Sequence, residues 1–305
     1  ILAVEGDESA ALVEEKAMMV LGEDGVVTAV PLPTDTLTSG KDYDLEELGI
    51  TQVPTQLLVV ELDTSILYIT SHYRFVLTTA REQMERHRLE LTLDNLYRLE
   101  RQEQVVYVCR WGDLTTKSRM LLITSAGVAR PFPVNVMRES IDAPTPLKFD
   151  HALDGIVVAA LGVERDQTMA LFSQEGRSVR YPIRSLKTSG TQAFNCGKTD
   201  RVVTGLVVDG EEPVMIGTAD GNGRFITPNW IPTPAKPNTK GKSMIAKKSA
   251  LALATNHKTG WFVTNQRFVW LENGRFRHED STKSEQLLDL QAGEELVQFL
   301  DINGI

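Results

Sequence analysis

Apolar residues in this chain come in short, almost unbroken runs, paired across small turns, and the pairs recur from one end to the other. The paired runs are AMMVLGEDGVVTAVPL from Ala17, ILYITSHYRFVLTTA from Ile66, MLLITSAGVARPFPV from Met120, TMALFSQEGRSVRYPI from Thr168, PVMIGTADGNGRFIT from Pro213 and GWFVTNQRFVWL from Gly260. Aligned at the turn, they anchor on Gly25, Tyr73, Gly127, Gly176, Gly223 and Arg267, at spacings of 48, 54, 49, 47 and 44 residues. Each reads as a β-hairpin: apolar and β-branched flanks enclose Gly, Asn, Asp and Ser at a turn where positive φ is often required. A polar loop and a further apolar run follow, as in LLVVEL from Leu57, GIVVAAL from Gly155 and RVVTGLVV from Arg201, so each unit supplies about four short strands.

A four-stranded sheet standing alone cannot bury both faces, whereas radial stacking of several does. The period predicts an all-β fold: a ring of six propeller-like, four-stranded blades in one domain over residues 1–305, with blades starting near 17, 66, 120, 168, 213 and 260. One stretch departs from the pattern. Residues 79–91 (TAREQMERHRLEL) place Met84, His87 and Leu91 at helical spacing and read as a solvated helical insertion in the second unit.

Composition narrows the function classes. The 305 residues are 42% hydrophobic and include two cysteines, Cys109 and Cys196, with no metal-type spacing. A disulfide framework and a zinc site are therefore not expected, and a reducing cytoplasm is the default location. The longest apolar stretch, Gly155–Val163, is far short of a membrane span and reads as a buried strand, and the acidic N-terminal stretch does not resemble a signal peptide.

The net charge of −9 argues against a nucleic-acid partner until it is resolved along the chain. Residues 1–64 carry two bases and 14 acids, residues 65–164 carry 12 of each, residues 165–280 carry 17 bases and ten acids, and residues 281–305 carry one base and five acids. One sector of the chain attracts polyanions and the others do not.

The opening VEGDESAALVEEKAMMVLGEDGVVTAVPL, the repeated strand–Ser/Thr-x-x-Gly–strand hairpin (LLITSAGVARPF, ALFSQEGRSVRYPI) and the run KTDRVVTGLVV from Lys198 together resemble the C-terminal domain of the A subunit of bacterial DNA gyrase and topoisomerase IV. The resemblance covers nearly the whole chain as six weak repeats. It implies a β-pinwheel, a ring whose blades exchange strands with their neighbours. It also implies a non-catalytic domain of an ATP-dependent type II topoisomerase that binds and bends or wraps duplex DNA on a basic rim, with the catalytic core (the remainder of the A subunit and the B subunit) as its protein partner. The sequence departs from the gyrase pattern at one place. Gyrases carry a basic segment of the type QRRGGRG after the first hairpin, and here the loop from Pro33 to Gly49 (PTDTLTSGKDYDLEELG) is acidic.

The candidate DNA contacts lie in the fourth and fifth units. Arg177, Arg180, Arg184 and Lys187 belong to the fourth hairpin and its loop, and Lys198, Arg201 and Arg224 lie nearby in sequence. Lys236, Lys240, Lys242, Lys247 and Lys248 fill the fifth loop, which has no acid between Pro232 and Lys248. Positive charge held along a path is what phosphate binding requires, and no recognition helix points to base reading.

No catalytic, metal or cofactor site is expected. The tripeptides at Gly241 (GKS) and Gly197 (GKT) imitate a phosphate loop, but the glycine such a loop needs five residues earlier is Lys236 in one and Gln192 in the other. The DGNG at Asp220 lacks calcium-loop spacing and suits a turn, and the five histidines are scattered. Two other readings compete with DNA binding: a ring that has become a protein-interaction module, motivated by the acidic first loop, and an enzyme working in a propeller channel, for which no convergent acid–base set is legible.

Overall fold

The computed structural model describes residues 15–33, 36–89, 99–141, 147–148, 154–246, 249–271 and 283–301. Six repeating units build it. Unit 1 is β1 (Glu15–Gly22), β2 (Val27–Pro33), β3 (Tyr43–Asp44) and β4 (Pro54–Glu61). Unit 2 is β5 (Ser65–Thr70), β6 (Arg74–Thr79), helix α1 (Ala80–Arg88) and β7 (Val105–Arg110), followed by the short helix α2 (Trp111–Thr115). Unit 3 is β8 (Arg119–Thr124), β9 (Val128–Pro133), helix α3 (Val134–Ile141), β10 (Leu147–Lys148) and β11 (Val157–Val163). Unit 4 is β12 (Thr168–Ser173), β13 (Arg177–Pro182), β14 (Thr191–Gln192) and β15 (Val202–Val207). Unit 5 is β16 (Val214–Thr218), β17 (Asn222–Ile226), β18 (Lys242–Ser243) and β19 (Leu251–Thr255), and unit 6 is β20 (Gly260–Thr264), β21 (Arg267–Leu271), β22 (Glu285–Gln286) and β23 (Leu296–Asp301).

Each unit's first strand is the middle of its blade and is buried on both faces. In β8, Met120 and Leu122 pack towards the blade of unit 2, while Leu121 and Ile123 pack towards that of unit 4. A strand with two buried faces has no polar side to alternate with, which is why these strands read as solid apolar runs. Six apolar clusters fill the six gaps between successive blades. The last of them joins Trp261 and Val263 of blade 6 to Met18 and Val20 of blade 1. Side chains such as Phe172 and Phe262, each 1% exposed, contribute about 1.5–3 kcal/mol apiece by burial.

The final strands of the units, β4, β7, β11, β15, β19 and β23, neighbour one another in succession, and β23 returns to β4. The ring is therefore closed. Gln298 of β23 bonds the Leu57 backbone of β4 twice, accepting its N–H and donating to its carbonyl, both at 3.0 Å. Gln56 forms the same double bond with Val108 of β7, at 2.9 Å and 2.5 Å.

The outer strand of five blades comes from the following unit. β10 joins β6, β14 joins β9, β18 joins β13, β22 joins β17, and β3 of the first unit joins β21 of the last. Among the described residues blade 1 has three strands, and α1 lies against the edge of β2. The Gly22 N–H bonds the Val26 carbonyl, so the alternation of an antiparallel ladder turns the backbone groups of Val27, Ala29, Pro31 and Pro33 outward. Gln83 of α1 donates to the Val27 carbonyl, and Pro31 and Pro33 have no N–H to leave unpaired at this edge. The insertion at 79–91 is thus helical over Ala80–Arg88 but not simply solvated: Gln83 and Met84 are buried because the helix fills the place of an exchanged strand. Leu91 lies outside the described residues.

The turn that the repeats share is a five-residue connection in blades 1 to 5, with its fourth residue left-handed: Gly25, Tyr73, Gly127, Gly176 and Gly221. The fifth anchor is therefore Gly221 and not Gly223, which pairs with Gly217 inside the ladder. Blade 6 has a connection one residue shorter between Val263 and Phe268, so Arg267 is not a left-handed counterpart of the glycines.

Candidate nucleic-acid interface

Strand exchange decides where the basic residues sit. The loop of unit 5 docks on blade 4, pairing Lys242 with Ser178 and Ser243 with Arg177. The loop of unit 4 docks on blade 3, pairing Thr191 with Ala129 and Gln192 with Val128. Four of the five dockings end in the same latch, in which residues just past the exchanged strand donate N–H to a turn carbonyl of the receiving blade. Phe194 bonds Gly127 at 3.1 Å, Met244 bonds Gly176 at 2.8 Å, Leu288 bonds Gly221 at 3.0 Å and Leu45 bonds Gln266 at 2.9 Å. The latch residues are apolar and buried, which anchors polar loops on the outer edges of the blades.

The two basic loops touch. The Asn195 N–H donates to the Thr239 carbonyl at 2.9 Å, and Phe194 and Thr239 form a parallel bridge. Arg184, Lys187, Lys198 and Arg201 of the unit 4 loop are exposed, as are Lys236, Lys240 and Lys242 of the unit 5 loop. None of these seven forms an ion pair with an acid among the described residues. Lys242 lies over the Trp230 ring, its Nζ 4.2 Å from the centroid, which keeps the ammonium at the surface on a fixed stem.

The other predicted contacts have different surroundings. Arg177 is partly buried and lies 3.8 Å from Glu175. Arg180 ties blade 4 to the unit 5 segment that follows β17, donating to Thr233 Oγ1 at 2.8 Å and Asn229 Oδ1 at 3.1 Å. Arg224 is 4% exposed, donates to the Lys283 carbonyl and has its guanidinium 5.5 Å from the Trp230 centroid, so it supports the edge from beneath. Lys247 and Lys248 lie outside the described residues.

A polar groove runs where the two loops meet the turn of blade 3. Ser125, Gln192, Asn195, Gly197, Arg201 and Asn238 line it. Sequence reading missed its amides, since asparagine and glutamine in loops carry no distinctive pattern; the left-handed Asn238, at φ 65°, is the one backbone oddity among them. Cys196 also faces the groove, and burial pushes its thiol up from the ordinary value, which works against a thiolate nucleophile. Asp200, on the same wall, accepts the Glu175 N–H at 3.0 Å and so serves the turn of blade 4. Among the described residues no three His, Cys, Asp or Glu side chains gather to hold a metal. Neither GKS nor GKT opens a helix: Lys242–Ser243 is strand β18, and Gly197–Thr199 lies in a turn. No helix is long and apolar enough to cross a membrane among the described residues.

Buried carboxylates elsewhere have structural partners. Glu294, its side chain fully buried, accepts from Thr264 Oγ1 and Arg267 Nε, each at 2.8 Å, and from the Gln291 N–H at 2.7 Å. Glu103 plays the same part in blade 2 with Thr70, Arg74 and the Glu100 N–H. The acid two residues ahead of the last strand (Glu103, Asp200, Glu294) was visible in sequence only as the Asp-x-Val-Val of unit 4.

Neither a family model nor a curated protein matches this sequence. Solved structures do. A DNA gyrase A C-terminal domain superposes with a TM-score of 0.75 at 17% identity, covering 93% of this chain and 99% of its own. The C-terminal domain of a DNA topoisomerase IV follows with a TM-score of 0.63 at 14% identity, covering 95% of this chain and 94% of its own. The E. coli ParC C-terminal domain gives a TM-score of 0.51 at 12% identity, over 79% of this chain and 98% of its own. In fold, the chain is a six-bladed β-pinwheel of the architecture found in the C-terminal domains of DNA gyrase A and topoisomerase IV.

Proposed function

We propose that this pinwheel binds and bends duplex DNA without sequence preference, as the C-terminal domain of a type IIA topoisomerase A subunit acting beside its catalytic core in the cytoplasm. One observation carries the reading: seven exposed basic side chains, without an acidic partner among the described residues, sit on two touching loops at the edges of adjacent blades. A duplex laid across them releases counterions for each phosphate neutralised, a driving force that needs no base contact. Bending a site of 20–30 base pairs costs on the order of 1–6 kcal/mol, which several such contacts offset. The likeness to topoisomerase domains supports the same assignment by fold.

Fluorescence anisotropy of a labelled duplex across a salt series tests it. Affinity falling with salt at a slope of about −0.9 per phosphate contact is the expected result. Absence of binding at low salt sinks the reading and favours a protein-interaction ring, for which the exposed acids Asp42, Asp44, Glu46 and Glu47 on blade 6 provide the motive.

A further inference from the structure

We infer that the duplex is engaged along the edges of blades 3 and 4 and leaves the ring at the boundary with blade 5; this rests on the DNA-binding reading above. The cause is the shift of each unit's loop onto the preceding blade. No acid occurs between Asp220 and Glu272, so the loop delivered to blade 4 is purely basic. The loop delivered to blade 3 has none between Glu175 and Asp200. These two acid-free segments are laid side by side through Asn195 and Thr239.

The next edges reverse sign. Blade 5 receives the unit 6 loop, whose described part exposes Glu285, Asp289 and Glu295 against one base, Lys283. Blade 6 receives the unit 1 loop, which exposes Asp42, Asp44, Glu46 and Glu47 against Lys41 alone. The base best placed to offset these acids, Arg267, is bound to Glu294. On blade 1 the edge helix pairs its own charges, with Arg81 on Asp63 and Arg86 near Glu82. Exposed charges act over a Debye length of about 10 Å at 0.1 M salt, so phosphates brought along blades 5 and 6 meet the acids displayed there as local repulsion. The exchange that closes the ring also places its acidic loop on the last blade, and the closed ring is electrostatically a short arc.

The test compares the salt dependence of binding on duplexes of about 15 and about 45 base pairs, using the whole chain. Seven exposed bases set an upper slope of about −6. Equal slopes on the two lengths are expected for the wild type, with a steeper slope on the long duplex alone in the variant E285K/D289K, which reverses two exposed acids of the loop on blade 5. A wild-type slope that steepens on the longer duplex would show a path extending past blade 4 and overturn the short arc while leaving DNA binding intact. An unchanged slope in E285K/D289K would overturn the acidic edge of blade 5 as the terminus. Failure to bind either duplex would remove the functional reading itself.

Discussion

Gly127 and Phe194 meet where the turn of blade 3 receives the chain of unit 4: the Phe194 N–H bonds the Gly127 carbonyl at 3.1 Å, and a Cβ on Gly127 would stand 2.4 Å from the Phe194 carbonyl oxygen. Gly127 is also left-handed, at φ 85°. The turn, the latch and the strand exchange thus share one residue that cannot carry a side chain without displacing backbone.

Gly127→Ala should therefore cost roughly 2–4 kcal/mol, combining left-handed strain with overpacking against a rigid neighbour. Gly210→Ala is the control, since φ there is 73° but nothing lies within 4 Å of the added methyl. It should cost about 1 kcal/mol. Thermal or urea unfolding of the two variants measures the difference, and equal losses would mean that the approach to Phe194 is unimportant.

Ring closure can be weighed at Gln298. Gln298→Ala leaves the buried Leu57 N–H and carbonyl without their shared partner, and should destabilise by about 2 kcal/mol. Hydrogen exchange should show the loss first in β4 and β23; protection lost uniformly over the chain would contradict a local seam.

The Arg267–Glu294 pair predicts an acid limb of stability. Burial pushes the Glu294 carboxyl up, but bonds from Arg267, the Gln291 N–H and Thr264 outweigh it and hold the group below the ordinary glutamate value. Its contribution is therefore complete above the unfolded value of about 4.3 and is lost as pH falls through the lower folded value. Glu294→Gln should lower Tm at neutral pH and flatten its dependence below about pH 4.3. Parallel Tm curves for wild type and variant would remove Glu294 from the acid transition.

Helix α1 offers a test of whether it substitutes for a strand. Met84→Ala should cost about 2 kcal/mol, as for a core methionine, whereas a merely solvated helix would lose under about 0.5 kcal/mol.

For DNA, the triple reversal Lys236→Glu, Lys240→Glu, Lys242→Glu should weaken binding to all duplexes alike and make the salt slope shallower by about three. Retained affinity and slope would move the interface off the edge of blade 4.

Six hairpins, their order and the acidic character of the first loop were all legible in the sequence, because a strand buried on both faces must be continuously apolar and a left-handed turn position favours glycine. Tyr73 shows the boundary of that legibility. It occupies the same left-handed position as the glycines, at φ 59°, and its hydroxyl bonds the Gly155 carbonyl of the next unit, a tolerance that only the folded neighbourhood explains. The exchanged strands are two residues long and carry no periodicity, so nothing local announces that Thr191, Lys242 or Tyr43 leaves its own unit.

The sequence by itself determined the repeat, the blade count and the sign of charge on the loops of units 1, 4 and 5, since these depend on residue type and local spacing. Only the tertiary structure decided which blade displays each loop, that the ring closes through Tyr43 and Asp44 on blade 6, and that Arg224 is buried while Lys240 is not. The physical reason is that pairing partners far apart in the chain are chosen by backbone hydrogen bonds and by shared apolar burial, and neither leaves a mark on any single stretch of sequence.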